Sequence, residues 1–319
     1  MRNSFSLSLL FVVAVVISVA VGFPQAQPGG ARRDASRAQT VAISFQGRAR
    51  HYLLYVPAKP AGSLVLAFHG GGQTAAQMQR ITGFDAIADR ERFIVAYPEA
   101  FERSWADGRN STSAEQQGID DVGFAKAVVE DIARVHTIDR SRIFATGLSN
   151  GGILTYRLAC EAADAFSAIA PVIAAIATGR AQSCRPSVPI AVLGIQGVVD
   201  PSVPFDGGNV GGSPRGGKVQ GSRATQELWR SLNGCSGNAQ SASLPILVHD
   251  GTSVDRRSYA GCRRGGEVVW YEIQGGGHRW PPYKEVGGNE EQAQRENGVS
   301  SQNINVSEVI WEFFAAHAR

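Results

Sequence analysis

The sequence predicts an α/β protein built on a mostly parallel central sheet with helices on both faces. Three observations lead there. Strand-like and helix-like segments alternate along most of the chain, the pattern of parallel strands joined by crossover helices. Residues 64–68 and 93–97 are apolar throughout, as strands buried on both faces are, instead of alternating between apolar and polar. Finally, 319 residues with 43% hydrophobic and 18% charged content can bury one large core and are too apolar for a disordered chain.

The elements follow in order. Residues 41–45 and 51–56 alternate like an antiparallel pair at the start of a sheet. The strand at 64–68 enters a glycine cluster, and the strand at 93–97 stops at Pro98. Residues 121–135 place Val122, Val128, Val129, Ile132 and Val135 at helical spacing behind the acidic Asp120. A short strand at 143–146 precedes a helix at 151–160. Strands at 168–172 and 190–195, a helix near 224–232, a strand at 268–273 and a last helix at 306–316 complete the alternation. In that last helix Ile310, Phe313, Phe314 and His317 recur at three- and four-residue spacings. No internal repeat and no long linker interrupts residues 40–319, so a single domain is expected there.

The N-terminus reads as an address. An apolar run from Phe5 to Phe23 follows Arg2, and its densest part, Leu9 to Val21, has the length of a signal-peptide core. A signal peptide over 1–22 and an unstructured leader over 23–39 are expected, with an uncleaved membrane anchor as the alternative. The protein is therefore expected to be exported, either secreted or periplasmic. Cysteine usage agrees: Cys160, Cys184, Cys235 and Cys262 are even in number and lack zinc-like spacing. Of the three possible pairings, Cys160–Cys184 and Cys235–Cys262 are preferred because each closes a loop of about 25 residues, contributing roughly 3 kcal/mol. No metal or cofactor is expected.

Charge and a decoy exclude other classes. A net charge of +3 gives no basic stripe for nucleic acid. Residues 212–218 read GxxxxGK, but Val219 stands where a phosphate loop needs Ser or Thr, and Pro214 interrupts the string. No nucleotide is expected, and the glycine pairs of this segment suggest a mobile loop.

Three places carry chemistry. The first is Gly147-Leu148-Ser149-Asn150-Gly151, a GxSxG string between a strand and a helix. Chance alone gives roughly 0.4 such strings in this composition, so the context decides. A serine on a sharp strand-to-helix turn needs small neighbours two residues away, and the helix N-terminus aims N–H groups at developing negative charge. The second is His69-Gly70-Gly71-Gly72 after the strand at 64–68, where Gly lets a backbone N–H approach a reacting oxygen. Gly71 or Gly72, with Asn150, is expected to supply the oxyanion donors, and His69 to hold the loop. The third is the base and its acid. Of six His, His278 alone follows a flexible Gly275-Gly276-Gly277 after a strand. Asp200 follows the strand at 190–195 through a short turn, with Asp206 as its rival. Trp105 and Trp280 are candidate pocket walls.

HGGGQT, GLSNGG, Asp200-Pro201-x-Val203-Pro204-Phe205 and GGGHRWP, in that order, resemble the secreted poly(3-hydroxybutyrate) depolymerase-like esterases, a family that includes feruloyl and acetylxylan esterases. The resemblance runs from about Val41 to the C-terminus. It implies the α/β-hydrolase fold, a Ser149–His278–Asp200 triad, two disulfides, and an ester substrate of short 3-hydroxyacid, feruloyl or acetyl type. Two positions depart: Gln196-Gly197 where the family usually has His-Gly, and Arg279 where Thr commonly follows the base. A serine peptidase of the same fold, or a catalytically inactive binding protein, are the alternatives. With no separate substrate-binding domain expected, crystalline polymer is a poor expected substrate.

Overall fold

The computed structural model describes residues 38–285 and 288–319, with Met1. The expected signal peptide, and the leader as far as Arg37, lie outside the described residues.

The strands are β1 (Gln39–Phe45), β2 (Arg48–Tyr55), β3 (Leu64–Phe68), β4 (Ile94–Pro98), β5 (Ile143–Leu148), β6 (Ala168–Val172), β7 (Ala191–Gly197), β8 (Gly208–Asn209), β9 (Lys218–Val219), β10 (Ala239–Ser243), β11 (Ser253–Tyr259) and β12 (Val268–Gln274). The helices are α1 (Ala75–Thr82), α2 (Phe84–Glu91), α3 (Ser113–Gln116), α4 (Asp121–Val135), α5 (Asn150–Glu161), α6 (Thr178–Ser183), α7 (Ser222–Leu232), α8 (Glu290–Asn297) and α9 (Val306–Ala316). Ten strands form one sheet in the order β1-β2-β4-β3-β5-β6-β7-β12-β11-β10. Its centre, β4 through β12, is parallel, and antiparallel strands flank it on both sides. This is the α/β-hydrolase fold.

The parallel strands are apolar throughout because both faces are covered. Along β3, Leu64, Leu66 and Phe68 face a core shared with Phe124, Val128, Leu154 and Trp229 from α4, α5 and α7. Val65 and Ala67 face the other core, with Met78, Phe84, Ile87 and Phe314 from α1, α2 and α9. The period of two along the strand thus divides its residues between two apolar layers. On the second face, Phe93 stacks on Trp311 at 4.0 Å and Phe144 on Phe314 at 4.7 Å, which seats α9 against the sheet.

Several elements have no counterpart in the sequence reading. β10 (Ala-Gln-Ser-Ala-Ser) is exposed at every position, and β11 buries only Val254 and Ser258. Neither carries an alternating apolar signal; pairing makes them strands, β10 at the sheet's edge and β11 between it and β12. α8 is mostly polar. For α1 a signal did exist: Thr74 and Gln77 form a capping box. The segment expected as an open mobile loop is pinned instead. Two short turns and the β8–β9 ribbon span it, and Gly216 O accepts from Arg109 Nη1 and Ser111 Oγ.

Cys160 is bonded to Cys184 and Cys235 to Cys262, leaving no free thiol among the described residues. At roughly 3 kcal/mol each, reduction is expected to lower the unfolding temperature by on the order of 10 °C. Thiol titration of the denatured, unreduced protein should find almost no free Cys; four free thiols would contradict both bonds. No described helix is long and apolar enough to cross a membrane.

Candidate active site

Four sheet elements converge at one edge. The carboxyl ends of β3, β5, β7 and β12 carry, respectively, the His69–Gly71 turn, Ser149, Asp200 and His278. That edge is where an open α/β sheet leaves a crevice.

Ser149 sits between β5 and α5 with φ 55° and ψ −118°, a conformation costing about 1–3 kcal/mol for a residue with a side chain. The surroundings enforce it. A Cβ on Gly147 would come within 2.4 Å of Gly151 backbone, and one on Gly151 within 2.3 Å of Phe68 O. The two glycines of the motif are therefore steric requirements of the elbow. The turn holds Ser149 Oγ up to the crevice, 2.9 Å from His278 Nε2.

His278 Nδ1 lies 2.8 Å from Asp200 Oδ2. A proton on Nδ1, donated to the carboxylate, leaves Nε2 free to accept from the serine hydroxyl. The Asp200 side chain is fully buried, and its Oδ1 accepts from the N–H groups of Ser202 and Val203 at 2.7 and 2.8 Å. Asp206 is exposed, and no hydrogen bond joins it to His278. Gln196, at the first departing position, is buried and donates through Nε2 to Val203 O, bracing the turn that carries Asp200.

The glycine loop separates the two candidate donors. Gly72 has φ 75°, and its N–H donates to Arg103 O at 2.8 Å, so it is committed to the turn. Gly70 N–H donates to Gln73 Oε1. Gly71 N–H and Asn150 N–H have no hydrogen-bond partner among the described residues, and Gly71 lines the cleft above Ser149. The expectation that included Gly72 is corrected on this ground: its hydrogen atom is already spent within the fold. His69 holds the loop as expected, with Nδ1 on Gly70 O and Nε2 accepting from Ala100 N–H.

Trp105 is also corrected. It is fully buried and lines no part of the cleft. Its indole N–H donates to His69 O at 2.8 Å, and its ring meets Phe68 edge-on. It is a strut beneath the glycine loop. The side chain of Asn150 completes the strut: Oδ1 accepts from Trp105 N–H, and Nδ2 donates to Asp107 Oδ2. Complete burial pushes the Asp107 carboxyl above its ordinary range, against the pull of the Arg109 guanidinium. Asp121, paired with buried Arg50, accepts from Ala106 N–H. Asp107, Asp121 and the Asn150 side chain were not singled out from sequence. An isolated Asp before Gly108 reads as a turn former, and only the fold shows it buried against Asn150.

The cleft holds about 210 Å³, and Gly71, Ser149, His278, Arg279, Trp280 and Asn297 are among the residues lining it. Trp280 lies in its wall, its indole N–H bonded to Ser307 Oγ. Arg279, the second departing position, makes two hydrogen bonds to Glu290, at 2.5 and 2.8 Å. That pair ties the start of α8 to the loop bearing His278. A larger cavity of about 420 Å³ near Arg263, Glu267 and His317 lies at the opposite end of β12 and touches none of the three aligned residues. No group of His, Cys, Asp or Glu among the described residues could hold a metal ion.

Residues 50–205 match the esterase PHB depolymerase family model. The chain is 33% identical to "Putative esterase NocK" of Nocardia uniformis subsp. tsuyamanensis over 79% of its own length and 78% of that protein. It is 28% identical to "Probable feruloyl esterase C" of Aspergillus niger, covering 73% of this chain and 68% of that one. Among solved structures, the acetyl xylan esterase from Aspergillus awamori superposes with a TM-score of 0.54 at 13% identity, covering 82% of this chain and 98% of that one. At that identity the likeness is one of fold.

Proposed function

The chain belongs to the esterase PHB depolymerase family and is a carboxylic ester hydrolase, and from that premise we propose that it is an exported serine esterase working through an acyl-enzyme on Ser149. The observation that carries the proposal is the continuous hydrogen-bonded line from Ser149 through His278 to Asp200, at 2.9 and 2.8 Å.

Ser149 Oγ attacks the ester carbonyl carbon while its proton passes to His278 Nε2. The carbonyl oxygen becomes an oxyanion held by the N–H groups of Gly71 and Asn150, both preoriented and uncommitted. Collapse breaks the bond to the alkoxy oxygen, which leaves as the alcohol with the proton from His278. A water molecule, deprotonated by His278, then attacks the acyl carbon; the bond to Ser149 Oγ breaks, Oγ takes the proton back from His278, and the acid is released. Asp200 holds the imidazole in the required tautomer and stabilises its charged form. The two disulfides support an oxidising, extracytoplasmic location.

A cleft of about 210 Å³ falls below the roughly 300–1,000 Å³ typical of drug-sized ligand sites, and Arg279, paired with Glu290, is part of its lining. Short acyl groups fit this description: acetyl, short 3-hydroxyacyl, or a feruloyl group lying against Trp280. On p-nitrophenyl esters, kcat/KM is expected to be highest at two to four carbons and to fall steadily toward sixteen. A steady rise with chain length would overturn the short-acyl reading. Stoichiometric labelling of Ser149 by an organophosphate distinguishes an acyl-enzyme mechanism from a binding protein, and matched ester and amide substrates distinguish esterase from peptidase.

A fourth measurement addresses the strut. Asn150→Ala keeps the backbone N–H but releases residues 105–107 and leaves Asp107 without its amide partner. A loss of about tenfold to a hundredfold in kcat is expected, with KM little changed. An unaltered kcat would show that the strut does not position the site.

A further inference from the structure

Among the described helices of eight residues or more, α8 alone buries no residue. Its one apolar side chain is Ala293. Eight residues are too few for a helix to be stable alone in water, and no core anchors this one. Yet Ala293 and Asn297 line the cleft together with Ser149 and His278. Hydrogen bonds at its two ends hold α8 in that place.

The two ends are held differently. At the C-terminal end Asn297 O accepts from His278 N–H at 2.5 Å, and Val299 O accepts from Gly277 N–H at 3.0 Å. Packing there is tight, since a Cβ on Gly277 would overlap Asn297 O and Gly298 Cα. At the N-terminal end a single carboxylate makes the attachment. Glu290 Oε1 accepts from Arg279 Nη1 at 2.5 Å, and Oε2 accepts from Arg279 Nη2 at 2.8 Å and from Glu285 N–H at 2.9 Å. The Arg279 side chain is buried, so this is a charge-assisted contact at two points, the strong kind of ion pair. Those hydrogen bonds hold the Glu290 carboxyl below its ordinary range, which keeps the pair intact at neutral pH. Arg279 is itself among the residues lining the cleft.

We propose that Arg279 is a specificity-determining residue: by fastening Glu290 it fixes α8 as a wall of the cleft and so limits the length of acyl chain that enters. The inference rests on the esterase reading above and names what closes that site. Glu290 acts through Arg279 and is a positioning residue. Threonine, which commonly follows the base in the resembling esterases, has one hydroxyl hydrogen and cannot make the paired contact. The wall is therefore a property of the Arg279 departure. Without the pair, the N-terminal end of α8 has neither core nor ion pair to hold it, and the wall at Ala293 gives way to longer chains.

The test uses Glu290→Gln, which keeps the size of the side chain and removes its charge, with p-nitrophenyl acetate and p-nitrophenyl octanoate as substrates. The octanoate-to-acetate ratio of kcat/KM is expected to rise at least tenfold, mainly through a lower KM for octanoate. Each methylene that gains burial is worth about fourfold, so two suffice. Arg279→Met should move the ratio the same way, and Glu290→Asp, which keeps the carboxylate, should hold it within about threefold of wild type. Amide hydrogen exchange across residues 290–298 is expected to quicken at least tenfold in Glu290→Gln. An unchanged ratio in Glu290→Gln would overturn the proposal, and so would unchanged exchange in α8. A wild type that hydrolyses no soluble ester would sink the esterase reading instead, whereas exchange in α8 reports on the tether without turnover.

Discussion

Ser149→Ala is expected to lower kcat by about 10⁴- to 10⁶-fold while the protein folds and melts as wild type does. The magnitude follows from what is removed. Without Oγ there is no atom to form the acyl-enzyme, and His278 has no proton to accept; only the Gly71 and Asn150 donors and the cleft remain to assist direct attack by water. The substitution leaves the elbow intact, because its shape is imposed by the contacts of Gly147 and Gly151 and not by the serine hydroxyl. Single-turnover kinetics with p-nitrophenyl acetate and a thermal melt check both halves. Near-normal turnover in a folded variant would remove Ser149 from the mechanism.

Asp200→Asn is expected to cost about 10³- to 10⁴-fold in kcat, with little change in KM. Asn keeps an oxygen for the N–H groups of Ser202 and Val203, so the turn is retained. What changes is the atom facing His278 Nδ1. An amide NH₂ there favours the tautomer with its proton on Nε2, which cannot accept from Ser149. Asp206→Asn serves as the control: it is exposed and should leave kcat within about twofold. If Asp206→Asn is the damaging substitution and Asp200→Asn is not, the acid is misassigned.

Much of this was legible along the chain because it is encoded locally. The helix at Asp121–Val135 and the strands at Leu64–Phe68 and Ala168–Val172 match the expected bounds, since each has its own apolar pattern. The edge strand β10, its neighbour β11 and the mostly polar α8 carry no such pattern, and long-range pairing or a tether such as Arg279–Glu290 defines them. Trp105 shows the limit most clearly. In sequence an aromatic residue in a loop can wall a pocket or fill a core, and nothing within ten residues distinguishes the two. The choice is made by His69 O, thirty-six positions away, which accepts the indole N–H.

By itself the sequence determined the layered α/β architecture, the sharp turn at Ser149 and the glycine loop after β3, because periodicity and small-residue spacing are properties of neighbouring residues. Tertiary structure alone decided which N–H groups of the glycine loop are bonded within the fold, which aspartate meets His278, and where uncharged apolar side chains are left in water. Each of those depends on whether a hydrogen-bonding group or a side chain finds its partner across the sheet, and such pairings exist only once distant segments pack together.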